Sequence, residues 1–134
     1  MQLIVEEKLE ALRRCVARIE AKRAASAEEL SRDPDRQDIL SLNLTRAVQL
    51  CVDIAMLMLT ETDQASPQTM GEAFDALAQQ SMISEPLKQR LRAAVGFRNI
   101  AVHNYQAIDW TIVHAITHES VEDFRDFART VETL

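Results

Sequence analysis

The chain has 134 residues, enough for one domain with a single core, and we predict one helical domain over residues 1–134. Apolar residues make up 47% of it, and only two glycines and three prolines occur, so helix is favoured and little room remains for a sheet. The formal net charge of −6 excludes a protein that attracts nucleic acid over its whole surface. Any RNA contact therefore requires a local basic patch.

The two cysteines and the lack of a targeting segment indicate a cytoplasmic location without membrane contact. Cys15 and Cys51 fall inside apolar helical patterns, which predicts buried thiols in a reducing compartment. No apolar run approaches the roughly eighteen residues of a membrane span. The acidic start of the chain, with Glu6, Glu7 and Glu10, is wrong for a signal peptide.

The first predicted helix covers residues 2–29. Its apolar residues recur in alternating steps of four and three, as in the seam of a helical bundle: Val5, Leu9, Leu12, Val16 and Ile19. Arg13, Arg14 and Arg18 lie on other faces. A solvated helix face is the favoured interpretation of these arginines, and a phosphate-binding stripe is the alternative.

The second predicted helix begins at Pro34, after Asp33 as its cap, and runs to about Leu59. It is so apolar that it should be central or should bury a second face against a partner. One line of polar residues at helical spacing interrupts it: Asn43, Arg46, Gln49 and Asp53. An internal ion pair or hydrogen bond is the favoured interpretation of Arg46 and Asp53, and the alternative has Asp53 orienting His103 or Arg98.

Three more helices complete the predicted fold. Ser66-Pro67 opens a short helix that continues to Gln79, and Ser84-Glu85-Pro86 starts the next one. Asp109 caps the last, which runs over residues 110–131. The fold class is therefore all-α: an antiparallel four-helix up-and-down bundle with one extra short helix.

Residues Arg98 to Tyr105, written RNIAVHNY, hold the side chains with the clearest chemistry. Arg98 can bind a phosphate bidentately, and His103 has a side chain whose ordinary pKa suits proton transfer near neutrality. A cation beside a general acid–base is what phosphodiester chemistry needs where no metal ion takes part. On a straight helix, however, His103 lies about 140° around the axis from Arg98 and roughly 7.5 Å along it. Either the helix unwinds between Val102 and Tyr105, or the site combines residues from two subunits.

A second histidine pattern suggests a metal site only weakly. His114, His118 and Glu122 share one helix face, a spacing that can bind zinc. No glutamate follows the first histidine as in a metalloprotease, and no cysteine lies nearby. We favour a solvated or interface stripe, and we predict no metal ligands and no cofactor.

The order arginine, four residues, histidine, one residue, tyrosine resembles the R-x4-6-H signature of the HEPN superfamily, in the R-x4-H-x-Y form of HepT-like toxins. Asn99 directly after the arginine strengthens the resemblance, as do Gly96-Phe97 before it and Ile108-Asp109 after the tyrosine. The helical layout also fits that family, so the resemblance covers nearly the whole chain.

The resemblance implies the toxin of a type II- or VII-like toxin–antitoxin pair, a metal-independent endoribonuclease. It implies that His103 acts as general base or acid, that Arg98 binds the scissile phosphate, and that Asn99 orients His103 or the phosphate. It further implies a homodimer whose two motifs face one cleft. Tyr105 would accept AMP from a cognate minimal nucleotidyltransferase antitoxin, which would block the site by bulk and negative charge.

Two other functions remain open from the sequence. One is a non-catalytic helical subunit that binds a nucleotide or RNA and partners a nucleotidyltransferase. The other is a plain interaction bundle. Loss of RNA cleavage in Arg98 and His103 variants would distinguish the ribonuclease toxin from these two alternatives.

Overall fold

The computed structural model describes residues 2–134, and this part of the chain is helical without any strand. The predicted all-α fold class is therefore confirmed. A 3-10 turn over Tyr105–Ala107 separates the last two α-helices. The α-helices in chain order are α1 (Gln2–Lys22), α2 (Ala27–Ser31), α3 (Pro34–Leu59), α4 (Met70–Gln79), α5 (Glu85–His103) and α6 (Trp110–Glu132).

Three helix starts lie where their capping residues predicted them. Asp33 accepts a hydrogen bond from the backbone N–H of Arg36, Ser84 from that of Leu87, and Asp109 from that of Thr111. Each cap satisfies one of the amide groups that a helix leaves without a partner at its N-terminus. These caps fix the ends of the helices that carry or flank the RNIAVHNY segment.

The first helix is shorter than predicted, because it ends at Lys22 and not near residue 29. Ser26 accepts a hydrogen bond from the backbone N–H of Glu29 at 3.1 Å and starts the separate helix α2. At the break, the Arg36 guanidinium donates to the backbone carbonyls of Lys22 and Arg23, both at 2.9 Å. Two carbonyls at the end of α1 are thus satisfied from α3, which lowers the cost of ending the helix there.

The predicted start of the third helix at Ser66-Pro67 is also wrong. Thr69 is the cap of α4 and accepts from the backbone N–H of Glu72 at 3.2 Å. The Glu72 carboxylate in turn accepts from the backbone N–H of Gln68 at 2.9 Å. This pair of hydrogen bonds is a variant of the capping box. It sets the start of α4 at Thr69, although the proline at 67 predicted an earlier start.

Helix α3 lies at the centre of the molecule and packs against α1, α2, α4, α5 and α6. By length and composition it could cross a membrane, which corrects the expectation that no segment approaches that length. Half of the relevant stretch is buried inside the chain, however, as in the core helix of a globular protein. The apolar excess of α3 is therefore mostly used within the chain. Its buried apolar residues include Leu40, Leu44, Ala47, Cys51 and Ile54.

The α1 seam packs as predicted. Leu9, Leu12, Val16 and Ile19 are buried, and Val5 packs partly against the core. Cys15 and Cys51 are free and buried, as predicted. Burial raises the pKa of both thiols, which keeps them protonated and inert at neutral pH. The four long helices thus share one core, an arrangement that fits the predicted bundle.

Candidate active site

Helix α5 stays regular through His103 and stops at the next residue. Asn104 leaves the helical conformation, with φ −152° and ψ 66°, although its backbone N–H still donates to the carbonyl of Ile100 at 2.8 Å. The 3-10 turn that begins at Tyr105 follows directly. The chain therefore unwinds between Val102 and Tyr105, one of the two predicted alternatives, but the unwinding comes too late to alter the relation between Arg98 and His103.

Arg98 and His103 point to different sides of α5. Arg98 follows Leu91 and Ala94 at helical spacing, and those two residues are buried in the core. Its side chain is half-buried, and its Nε is buried without a hydrogen-bond partner in the described part of the chain. His103 is exposed at the C-terminal end of the helix. One chain therefore presents a partly inward guanidinium and an outward imidazole.

Asn99 connects these two sides of the helix. The Arg98 Nη1 donates to the Asn99 Oδ1 at 3.2 Å. Around the helix axis Asn99 lies about 100° from Arg98 and about 40° from His103. Its amide oxygen thus draws the end of the guanidinium toward the side that carries the imidazole. The resemblance implied that Asn99 orients His103 or the phosphate, whereas in this structure its contact is Arg98.

Tyr105 is held by two residues outside its own helix. Its hydroxyl donates to Asp38 Oδ1 on α3 at 2.6 Å, and its ring meets Trp110 edge-on, with 5.8 Å between the ring centroids. Partial burial raises the pKa of the phenol, and the bond to the Asp38 carboxylate raises it further because both favour the neutral form. No sequence pattern indicated Asp38 or Trp110 as a partner of Tyr105. Asp38 lies 67 residues away along the chain and belongs to no motif.

The structure places Asp53 and Arg46 away from His103 within one chain. Asp53 accepts from Gln49 Nε2 at 2.9 Å and pairs with Lys8 Nζ on α1 at 3.6 Å. It follows Asp38 by fifteen residues, which is about 22 Å along α3. The internal ion pair is therefore what the structure shows for Asp53. Arg46 is exposed and forms no ion pair within residues 2–134.

Arg46 instead lies in a groove of about 480 Å³ between α1 and α3, together with Arg14 and Arg18. We call this groove, lined also by Asn43 and Gln49, the basic groove. None of its three arginines forms an ion pair with another part of the chain that the structure describes. Arg13 does not belong to it, because its guanidinium pairs with Glu10 and Glu132. The basic groove is a local positive patch on a chain of net charge −6.

The two histidines of α6 pack against each other. The rings of His114 and His118 meet edge to face, with centroids 5.0 Å apart. The Glu122 carboxylate accepts instead from Arg125 Nη1 at 2.8 Å. No group of three or more potential ligands that could hold a metal ion occurs in residues 2–134.

A family model described as ribonuclease HepT-like matches residues 5–131. The mRNA nuclease HepT of Shewanella oneidensis is 33% identical over 132 residues, which cover 98% of each chain. The chain belongs to the HepT-like ribonuclease family. This confirms the resemblance found in RNIAVHNY and makes the protein an enzyme of a ribonuclease family.

Two solved structures of toxin–antitoxin complexes share the fold of this HepT-like chain. One is a tri-AMPylated Shewanella oneidensis HEPN toxin in complex with an MNT antitoxin, with a TM-score of 0.92, 33% identity and full coverage of both chains. The other is a toxin–antitoxin with AMP-PNP, with a TM-score of 0.90, 33% identity and coverage of 98% of this chain and 99% of that one. Neither alignment leaves a substantial part of the HepT-like chain uncovered.

The Asp38 contact of this HepT-like chain predicts how its tyrosine titrates. Tyr105 is the only tyrosine, so an ultraviolet absorbance titration reports on it alone. We expect a phenol pKa above the ordinary value of about 10 in the parent. We expect a lower pKa in Asp38→Asn, because the carboxylate that favours the neutral phenol is removed. Asp35→Asn, one turn away on α3, should leave the parent value unchanged. An equal pKa in the parent and Asp38→Asn would show that the hydrogen bond does not form in solution.

Proposed function

We propose that this HepT-like chain is the toxin of a toxin–antitoxin pair, an endoribonuclease that works as a homodimer and without a metal ion. The observation that carries the proposal is the geometry at the end of α5. An exposed imidazole ends the helix, and Asn99 draws the Arg98 guanidinium toward that side. Both groups belong to the R-x4-H-x-Y pattern of a chain that is a member of a ribonuclease family.

In the proposed reaction the 2′-oxygen of a ribose attacks the adjacent phosphorus, and the 5′-oxygen of the next nucleotide leaves. His103 moves a proton between the attacking 2′-hydroxyl and the leaving 5′-oxygen. Arg98 binds the phosphate and stabilises the negative charge that grows on its oxygens in the transition state. Asn99 supports the reaction by holding the guanidinium.

The distribution of exposed apolar side chains supports a homodimer. Apart from residues near the two chain ends, the large apolar residues that remain exposed lie in the RNIAVHNY segment or within about a turn of Asp38 or Trp110. They are Leu42, Ile100, Val102, Tyr105 and Ile112. Exposed apolar side chains around a proposed catalytic motif are typical of a protein–protein contact. A second copy that covers these side chains would place the guanidinium of one chain opposite the imidazole of the other.

The basic groove supports RNA as the substrate. Its arginines carry positive charge without a carboxylate partner in the described chain, so they are available to phosphate groups. Arg46 enters the proposal here and lies about 12 Å along α3 from Asp38. A phosphate-binding role for Arg14 and Arg18, the alternative left open by the sequence, is thus part of the proposal.

We further propose that a cognate minimal nucleotidyltransferase antitoxin silences the toxin by transferring AMP to Tyr105, and that both act in the cytoplasm. The related toxin that is tri-AMPylated and bound to an MNT antitoxin supports this. The Tyr105 ring is 39% exposed two residues after His103. An AMP group there would add bulk and negative charge where the RNA phosphate must bind.

Loss of either motif residue tests catalysis. We expect His103→Ala to lower the rate of RNA cleavage by about 10²–10⁴-fold, because the proton transfer loses its carrier. We expect Arg98→Ala to lower it by at least about 10²-fold. Both variants should abolish growth inhibition and keep the helical circular dichroism of the parent. His118→Ala and Arg129→Ala, which change the same residue types on exposed positions of α6, serve as controls and should stay active. Parental toxicity in both motif variants would exclude catalysis at this site.

Tight binding to the nucleotidyltransferase without any cleavage by the parent would instead favour the non-catalytic subunit.

A mixed dimer tests whether the site is shared. One chain carries Arg98→Ala, the other carries His103→Ala, and tandem affinity tags select dimers that contain both. In a shared site, each mixed dimer keeps one intact pair of arginine and histidine from opposite chains, so we expect about half of the parental cleavage rate. Complete inactivity of the mixed dimer, with each pure variant also inactive, would place both groups of a working site in the same chain.

The mass of the coexpressed protein tests the modification. When the chain is produced with its nucleotidyltransferase, we expect intact mass spectra with increments of one AMP group and peptide maps that place them on Tyr105. Tyr105→Phe should carry none and should stay toxic in the presence of the nucleotidyltransferase. Increments that persist in Tyr105→Phe would move the acceptor to another residue.

A further inference from the structure

The carboxylate of Asp38 has one close partner, and that partner is the hydroxyl of Tyr105 at 2.6 Å. Within residues 2–134 no lysine, arginine or histidine forms an ion pair with Asp38, and no other hydrogen bond reaches its oxygens. By contrast, several other carboxylates are held by cations, such as Asp75 by Arg92. Asp38 is therefore a carboxylate without a cation partner, hydrogen-bonded to the hydroxyl that the proposed regulation would modify.

The contact has the geometry of a base and its proton. A candidate general base must lie about 2.6–3.2 Å from the group that it deprotonates, and the oxygen–oxygen distance here lies at the short end of that range. Trp110 packs against the same ring and fixes its direction. No hydrogen bond or ring contact links the imidazole of His103 to the phenol in the part of the chain described here, although His103 lies only two residues away.

We propose that Asp38 is the general base for adenylylation of Tyr105, a role that rests on the proposed modification of this tyrosine. The phenol oxygen attacks the α-phosphorus of a nucleoside triphosphate held by the nucleotidyltransferase. A new O–P bond forms to Tyr105, the bond from the α-phosphorus to the bridging oxygen breaks, and pyrophosphate leaves. The phenol proton passes to the Asp38 carboxylate and from there to solvent. The acceptor chain thus supplies part of the chemistry that silences it.

The environment of the phenol favours such a base. Partial burial and the carboxylate both raise the pKa of Tyr105, so the reactive phenolate is scarce at neutral pH. A base that removes the proton during the attack avoids the need to form the free phenolate first. The same carboxylate that keeps the resting phenol neutral therefore receives its proton when a phosphorus atom arrives.

Variants of Asp38 test the base directly, with the cognate nucleotidyltransferase and ATP as probes. We expect Asp38→Asn to lower kcat for AMP transfer by about 10²-fold or more, because the amide can accept the hydrogen bond but cannot take the proton. The KM for ATP should stay at the parental value. Asp38→Glu should restore part of kcat. Asp35→Asn, which removes the same charge from the exposed first turn of α3, should transfer at the parental rate.

A more acidic phenol separates a base from a residue that only positions the ring. Because the chain has a single tyrosine, growth on a fluorinated tyrosine changes only position 105. In Asp38→Asn the fluorinated phenol, which loses its proton more easily, should recover at least about tenfold of the lost rate. In the parent the gain should be smaller. A rate in Asp38→Asn equal to the parent, or no recovery with the fluorinated tyrosine, would overturn the assignment.

The outcomes also separate this inference from the proposed function. If the parent is never modified, or if Tyr105→Phe is modified as well, the proposed acceptor is wrong, and so is the role proposed for Asp38. If Tyr105 is the acceptor and Asp38→Asn is modified at the parental rate, only the role of Asp38 is wrong. Circular dichroism melting of each variant shows whether an altered rate reflects loss of fold.

Discussion

The constraint on which this molecule depends is the regularity of α5 up to His103. Five residues along an α-helix turn a side chain by about 140°, so Arg98 and His103 cannot share one face. The inward position of Arg98 follows from the buried row Leu91 and Ala94, to which it is the next member. The outward position of His103 follows from the same rotation. Within one chain the guanidinium and the imidazole therefore stay apart, and in the proposed homodimer the second copy brings them together.

The end of α5 is also where three helices meet. The short connection after His103 leads through the 3-10 turn to Asp109, which caps α6. Tyr105 in that connection reaches Asp38 in the second turn of α3, while Trp110 from the first turn of α6 supports its ring. The connection is thus tied to the core helix by a polar contact at its surface, and Ile108 packs partly against the core. Because this contact lies at the surface, water can replace it, which suits a residue that leaves its partner in the proposed modification.

Local signals predicted most of the fold, whereas contacts between distant segments were beyond them. Asp33, Ser84 and Asp109 each marked a helix start because capping depends on only three or four neighbouring residues. Ser26 and Thr69 are caps of the same kind, but the helical composition around the first and the proline before the second concealed them. The motif residues were found by spacing. The partners of Tyr105 and Asp53 were not, because helical spacing tells which residues share a face but not which neighbouring helix that face meets.

The edge-on contact between Tyr105 and Trp110 has a practical consequence. The chain contains one tyrosine and one tryptophan, and they touch. The indole therefore acts as an intrinsic fluorophore whose only phenolic neighbour is Tyr105, the proposed site of modification. A group added to that phenol would change the polarity and packing around the indole, so the fluorescence emission of an unlabelled sample would report the proposed modification in real time.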